Sequence, residues 1–333
     1  MNLWIDILFP ALGIMGVPLR YIYYGVFFTL VPLKIRLNRD EKRLILLYFF
    51  FGILYVTIAQ DLLDALNRIV RFILPLCFAL LSRNYVRRSA YISLFYFIAG
   101  VTLLQILGIE TGFNIAEILN PELEYIGNGY YNIGGRIYRI PPGLGLPVKN
   151  TYLLVGLFPF VFYKKYLRWP SYILLVFISY YNYQITLLLV VLLQPIFSKF
   201  VEWKRFRSYA LILILSLSLL IFRLVLDIPS IDLERNEIFT YYFNNFRLDY
   251  FFTGWYNTYF DNGIDNLPHN LFLNSILIGG LVCFLLVVYF LWVLLNYGDS
   301  MRRLALFNLV LLMLTHNRSF LFADSTWLWL VIS

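Results

Sequence analysis

Charge is scarce in this sequence. Only 14% of its 333 residues are Asp, Glu, Lys or Arg, while 61% are hydrophobic; a soluble domain holds roughly 25% charged and 45–50% apolar residues. One globular core cannot hide that much apolar surface, so a water-soluble globule is excluded. Histidine occurs twice and cysteine twice. No group of His, Cys and carboxylates has the spacing of a zinc site, so the sequence implies no metal and no cofactor. Cys77 and Cys283 fall inside apolar runs, where they read as small buried hydrophobes rather than a disulfide or metal pair. The start, Met1-Asn2-Leu3-Trp4, lacks a basic n-region and a small-residue cleavage site, so no cleaved signal peptide is expected. There is no internal repeat and no low-complexity linker.

What is present is a series of apolar runs long enough to cross a bilayer. Backbone groups in lipid must satisfy one another, which allows helices or a closed barrel. These runs are continuous rather than alternating, which selects helices. The expected fold is therefore an all-α polytopic integral membrane protein, a single transmembrane domain over residues 1–333. At about 20 residues per span it holds about ten to twelve helices.

The net charge is +8, and its distribution points to orientation, not to nucleic acid. Five short loops, at 34–43, 82–89, 164–169, 199–207 and 298–303, hold 17 of the 27 basic residues and 4 of the 19 acidic ones. The positive-inside rule makes them cytoplasmic. Two long polar stretches, 109–149 and 227–269, then lie on the opposite side. An even number of spans must join cytoplasmic loops, which pairs 44–59 with 69–81, 91–107 with 152–163, and 209–226 with 270–295. The stretch 172–197 must turn back on itself near Tyr181-Asn182-Tyr183. Residues 1–33 are expected to form two short spans broken near Pro18, and the last run breaks near 317–325. Tyr and Trp at many run ends suit an interfacial belt. Asp61, Asp64, Arg68 and Arg71 fall in a short outer turn.

The first outer loop contains Gly127-Asn128-Gly129-Tyr130-Tyr131-Asn132, then Gly134-Gly135-Arg136-Ile137-Tyr138-Arg139. Its glycines and prolines rule out a long regular helix, and a connection this long is usually functional or disordered. The aromatics argue against disorder. Tyrosines beside Asn, Arg and Gly suit a sugar-binding surface, with flat faces for C–H groups and guanidinium forks for phosphate. Alternatively, Arg136 and Arg139 only touch headgroup phosphates. In the second loop Arg235 and Arg247 are the only bases among seven acids, and either could simply pair with Glu234, Glu237 or Asp249. Residues 238–246 read as an amphipathic helix on the membrane surface. Asp261, Asn262, Asp265 and Asn266 read as turn chemistry rather than a Ca²⁺ loop, because no glutamate closes it. His269-Asn270 follows, where this polar loop meets an apolar helix. His316, with Arg318 and Asp324 nearby, reads as structural.

Arg235, Gly254, His269-Asn270 and Gly279-Gly280 occur in that order across the second loop and the next helix. Arg139, Gly143-Leu144-Gly145-Leu146-Pro147 and Asn150 occur across the first. This succession resembles the O-antigen polymerase and ligase superfamily (the Wzy/WaaL type) over residues 136–295. One departure is Tyr183-Gln184-Ile185-Thr186, where many members carry a Ser-Arg pair. The resemblance implies a bacterial inner-membrane enzyme with both large loops periplasmic. Its substrate would be a polyprenyl-pyrophosphate-linked glycan, transferred to a sugar hydroxyl in O-antigen or capsule synthesis. Membrane lipids and a chain-length regulator are the implied partners.

Such chemistry needs fixed positive charge beside the departing pyrophosphate and a base for the acceptor hydroxyl. Arginine binds phosphate with two parallel hydrogen bonds, which assigns Arg235 and Arg139 to the pyrophosphate, with Arg136 or Arg247 as a further cation. His269 is the base. At a helix N-terminus its neutral form is favoured. Asn270 would orient it or hold a sugar hydroxyl. The alternatives are an O-antigen ligase acting on lipid A core, a polysaccharide or lipid transporter, and a structural membrane subunit.

Overall fold

The computed structural model describes residues 38–57, 63, 88–111, 124–127, 130–133, 136–138, 147–181, 185–227, 236, 240–241, 243–245, 247–254, 270–296 and 298–315. Outside these residues lie the expected spans within 1–33, at 69–81 and at the C-terminus, with Cys77 and His316. The outer turn expected at Asp61, Asp64, Arg68 and Arg71 and the turn expected at Asp261 and Asp265 lie outside them too. Helices dominate what is described. They fall into two compact units, one drawn from residues 81–199 and the other from 35–80 and 200–332.

In the first unit, α2 follows the helix α1 (Arg39–Thr57, which belongs to the second unit) and runs from Arg88 to Thr111. The first large loop then forms three antiparallel strands in the order β1 (Glu124–Gly127), β2 (Tyr130–Ile133) and β3 (Arg136–Tyr138). Tyr131 stands opposite Tyr125 on one side and Tyr138 on the other. Asn-Gly and Gly-Gly link these strands in sequence, and such dipeptides supply the positive φ that two-residue hairpins need. These three short strands are an exception to the expected all-α fold.

Helices α3 (Pro147–Phe162), α4 (Arg168–Tyr181), α5 (Ile185–Leu192) and α6 (Gln194–Phe200) follow. Pro147 opens α3, where its missing N–H costs nothing. Aromatic rings fill the space between α2 and α3: Tyr91 stacks on Phe160 at 4.4 Å and Phe95 on Phe158 at 6.2 Å. The Tyr96 and Ser171 hydroxyls meet at 2.7 Å and join α2 to α4. Arg168 closes the basic turn by donating its Nε to the Phe162 carbonyl at 2.9 Å while lying 4.8 Å above that ring. Trp169, Tyr166 and Tyr180 are exposed near helix ends, as an interfacial belt would require, but Tyr91 is buried at the start of α2. The expected reversal within 172–197 is present: α4 ends at Tyr181, α5 begins at Ile185, and the two pack together.

The second unit holds α1, α7 (Phe206–Asp227), α8 (Leu248–Thr253), α9 (Leu271–Leu294) and α10 (Ser300–Met313). Asn38 and Glu41 start α1 with a reciprocal capping box, at 2.8 and 2.9 Å. Asp299 caps α10 by accepting from the Arg302 N–H at 3.0 Å. Residues 304–314 of α10 and its end are buried throughout, as expected of a helix that is apolar all round. Among the described residues, α7 is the one helix long and apolar enough to cross a membrane. Its Ile212, Leu219 and Leu220 are exposed.

Helix α9 departs from the expected straight span over 270–295. Gly279 (φ −143°, ψ 22°) and Gly280 (φ 63°, ψ −157°) are non-helical. The Phe272 and Phe284 rings nevertheless lie 5.8 Å apart. In one straight helix their Cα atoms would stand about 18 Å apart, beyond what two phenyl side chains can bridge. The two halves therefore fold toward each other. Contacts with α7 agree. Asn270 bonds to Ser218, and Leu277 packs on Val225, so 270–278 runs in the same direction as α7. Past the glycines the chain returns, and Trp292 meets the Arg207 guanidinium at 4.4 Å. Such a reversal needs glycine. The Gly280 dihedrals lie in a region essentially closed to other residues, and a Cβ on Gly279 would stand 2.7 Å from the Cys283 Cβ.

Candidate functional site

Asn270 is the residue before α9 and takes an extended backbone (φ −153°, ψ 119°). Its Oδ1 accepts from the Phe272 and Leu273 N–H groups at 3.1 and 3.2 Å, which makes it an N-cap. The same oxygen accepts from the Ser218 hydroxyl at 2.9 Å, and the Asn270 Nδ2 donates to the Ser218 carbonyl at 3.3 Å. Both residues are buried. Asn270 thus caps one helix and clamps it to another, a job the sequence did not reveal. Ser218 lies before Asp227 by roughly 13 Å along the axis of α7 at 1.5 Å per residue. The short half of α9 therefore begins well before the C-terminal end of α7.

Removing the clamp has a measurable cost. Asn270→Ala strips a cap worth ~1 kcal/mol and strands the buried Ser218 hydroxyl at a further ~1–3 kcal/mol. Ser218→Ala removes only a hydrogen bond, at ~1 kcal/mol. Thermal unfolding of purified protein in detergent should rank Asn270→Ala below Ser218→Ala, with wild type highest. The reverse order would refute the double role.

One turn further on lies Asn274, fully buried, with neither its Nδ2 nor its Oδ1 hydrogen-bonded. Neighbouring Ser275 is also buried but satisfies its hydroxyl on the Leu271 carbonyl at 2.7 Å. A polar residue inside an apolar run is the sequence signal for both Ser218 and Asn274.

The second outer loop is tied to the same helix pair. Asn236 donates its Nδ2 to the Val225 carbonyl at 2.7 Å. Tyr241 and Tyr250 pack against the Val225–Leu277 core, with Ile221, Phe222 and Leu273. The described positions within 238–246 are helical and carry exposed Phe243 beside half-buried Tyr241. Gly254 ends α8 at φ 83°, ψ 167° and is buried; only glycine takes that backbone without strain. Arg247 precedes α8. Its Nε donates to the Asp249 carboxylate at 3.1 Å, and its guanidinium lies 5.4 Å from the Tyr250 ring. It is exposed, and such a surface pair contributes ~0–1 kcal/mol. That is the local pairing foreseen as its alternative role.

His269, Arg235 and Arg139 lie outside the described residues. Arg136 is placed by its backbone only, as the first residue of β3 opposite Ile133. No protein-family model, curated protein or solved structure matches this chain. A functional reading therefore rests on its own residues and their geometry.

Proposed function

We propose that the chain is a membrane-embedded glycan polymerase. It transfers a polyprenyl-pyrophosphate-linked glycan to a sugar hydroxyl, as the motif resemblance implies. The bilayer setting is supported by α7, of which only 28% of the most apolar window is buried; the core helix of a soluble protein would be mostly buried. An exposed apolar face of that size is stable against lipid and not against water.

One observation carries the reading. Asn236 and Asn270, the residues directly after Arg235 and His269, are both hydrogen-bonded to α7, at Val225 and Ser218. Those anchors are about 10 Å apart along the helix, and each motif residue precedes its anchored neighbour by a single peptide step of about 3.8 Å. This spacing supports the reading, because the motif resemblance assigns a phosphate-binding cation and a base to the positions just before these two anchors. In the reaction His269 takes the proton of the acceptor hydroxyl. That oxygen bonds to the anomeric carbon, the anomeric C–O bond to phosphate breaks, and the lipid pyrophosphate leaves with its charge held by Arg235. The motif resemblance also assigns Arg139 and Arg136 to phosphate binding. Arginines provide the positive charge, so the reading requires no metal.

The test is complementation of a polymerase-deficient strain, read as a glycan ladder. Capped core without a ladder would instead identify a ligase. Arg235→Lys should also be impaired, because a point charge lacks the guanidinium fork; about a tenfold or greater loss is expected. Wild-type ladders with Lys at 235 would reduce its role to bare charge.

The broken α9 favours a second reading. Transporters build substrate sites from interrupted helices near the bilayer midplane. Glycolipid movement across vesicles containing this protein alone, without elongation, would establish that reading.

A further inference from the structure

The feature of the second unit that neither fold nor proposed chemistry uses is Asn274. It shares a face with Asn270, one turn away on the short half of α9. Asn270 has found partners for both ends of its amide; Asn274 has found none. Its side chain is 0% exposed. Buried polar groups in native proteins nearly always have partners, and each exception calls for a reason.

The chemistry of the missing partner can be specified. Oδ1 needs a donor and Nδ2 needs an acceptor. A bare cation would satisfy only the oxygen, and a bare anion only the nitrogen. A hydroxyl does both, donating its hydrogen to Oδ1 and accepting from Nδ2. Because Asn274 is covered, a ligand reaches it only if residues 270–278 move. The break at Gly279 and Gly280 is a pivot for that movement, since the helical backbone is already interrupted there. The Asn270–Ser218 bonds fasten the free end of the same segment.

We infer that Asn274 is a subsite for a sugar hydroxyl, uncovered when residues 270–278 turn about Gly279–Gly280. This rests on the glycan reading above for the source of the hydroxyl. It goes beyond that reading by naming a residue which selects hydroxylated substrate without taking part in proton or phosphate chemistry.

The experiment uses Asn274→Leu and Asn274→Ala in the full-length protein. Ladder formation is measured in the complemented strain. Thermal unfolding of the purified protein is measured with and without glucose, N-acetylglucosamine or glucuronate. The expected result is a folded, inserted Leu variant that melts at or above the wild-type temperature, since an orphaned amide has been replaced by a well-packed apolar group. Its polymer yield falls by about tenfold or more, the order expected when a hydroxyl loses its designated partner. Free sugar then stabilises the wild type and not the variants. Normal ladders from either folded variant would overturn the subsite and leave Asn274 as a buried orphan or the host of a water. If the wild type makes no ladder, the polymerase reading falls and the sugar shift decides the subsite alone. A shift seen in wild type and absent from the variants upholds it, and no shift in either, or equal shifts in both, overturns it.

Discussion

His269→Ala and Arg235→Ala should each abolish visible polymer while the protein still inserts and reaches wild-type abundance. Losing a positioned general base typically costs about 10²–10⁴-fold in rate. Losing one preorganised group that stabilises developing charge costs about 10²–10³-fold. A ladder is built by repeated transfers, so a rate loss of that size leaves only unextended glycan. The described fold has its own holds beside both positions: Asn270 caps α9, and Asn236 ties the loop to α7. Both variants should therefore melt near wild type, unlike Asn270→Ala. That contrast separates chemistry from packing. A normal ladder from either alanine variant would end the proposed role of that residue.

Gly280→Val should have the largest effect on structure. At φ 63°, ψ −157° any residue with a Cβ carries ~1–3 kcal/mol of backbone strain, and a β-branched side chain is the worst case. The alternative open to the chain is to straighten α9, which gains propensity because valine is the better helix former by a few tenths of a kcal/mol. Straightening would pull Asn270 away from Ser218 and Leu277 off Val225. The check is a cysteine pair replacing Phe272 and Phe284, in a background lacking Cys77 and Cys283. A short thiol-to-thiol bismaleimide should cross-link the pair in otherwise native protein and fail with Gly280→Val. Equal cross-linking in both would mean that glycine is not required for the reversal.

Much of the helix pattern was legible in the sequence. Apolar runs at 91–107, 152–163 and 209–226 became α2, α3 and α7; α2 and α7 are longer by a few residues at both ends, while α3 starts earlier, at Pro147, and stops at Phe162. Hydropathy marks where a helix passes through apolar surroundings, but caps and turns set its limits. Asn38 with Glu41 and Asp299 with Arg302 are local signals of that kind. The reversal after Tyr181 was also legible, because charge on both flanks forced an even number of crossings. The strands of the first loop were not. Asn128-Gly129 and Gly134-Gly135 read as helix breakers, while the same dipeptides between tyrosine-rich segments are hairpin signals. The fold of α9 was missed for a related reason: hydropathy is blind to direction, and Gly279-Gly280 stands inside an unbroken apolar run. In the candidate site, Asn270 was found by its place before the helix, but its cap and its bonds to Ser218 depend on a residue far away in the chain. Asn274 is visible in the sequence as a polar residue in an apolar run, but its full burial without a hydrogen bond is a tertiary fact.

The two halves of α9 and the rod of α7 are unequal in length. At 1.5 Å per residue, the 22 residues of α7 reach about 33 Å, a match for a hydrocarbon layer ~30 Å thick. The returning half of α9, Gly279–Leu294, reaches only about 24 Å. Its Val282, Leu285 and Tyr289 face outward. In the bilayer setting proposed above, lipid beside that face would thin by several ångströms or leave polar headgroups dipping toward the glycine turn, at a cost of fractions of a kcal/mol per ångström of mismatch. Bilayers made from shorter acyl chains should then suit this protein better than long-chain ones, and a dented leaflet would bring the headgroup of a lipid carrier closer to the turn.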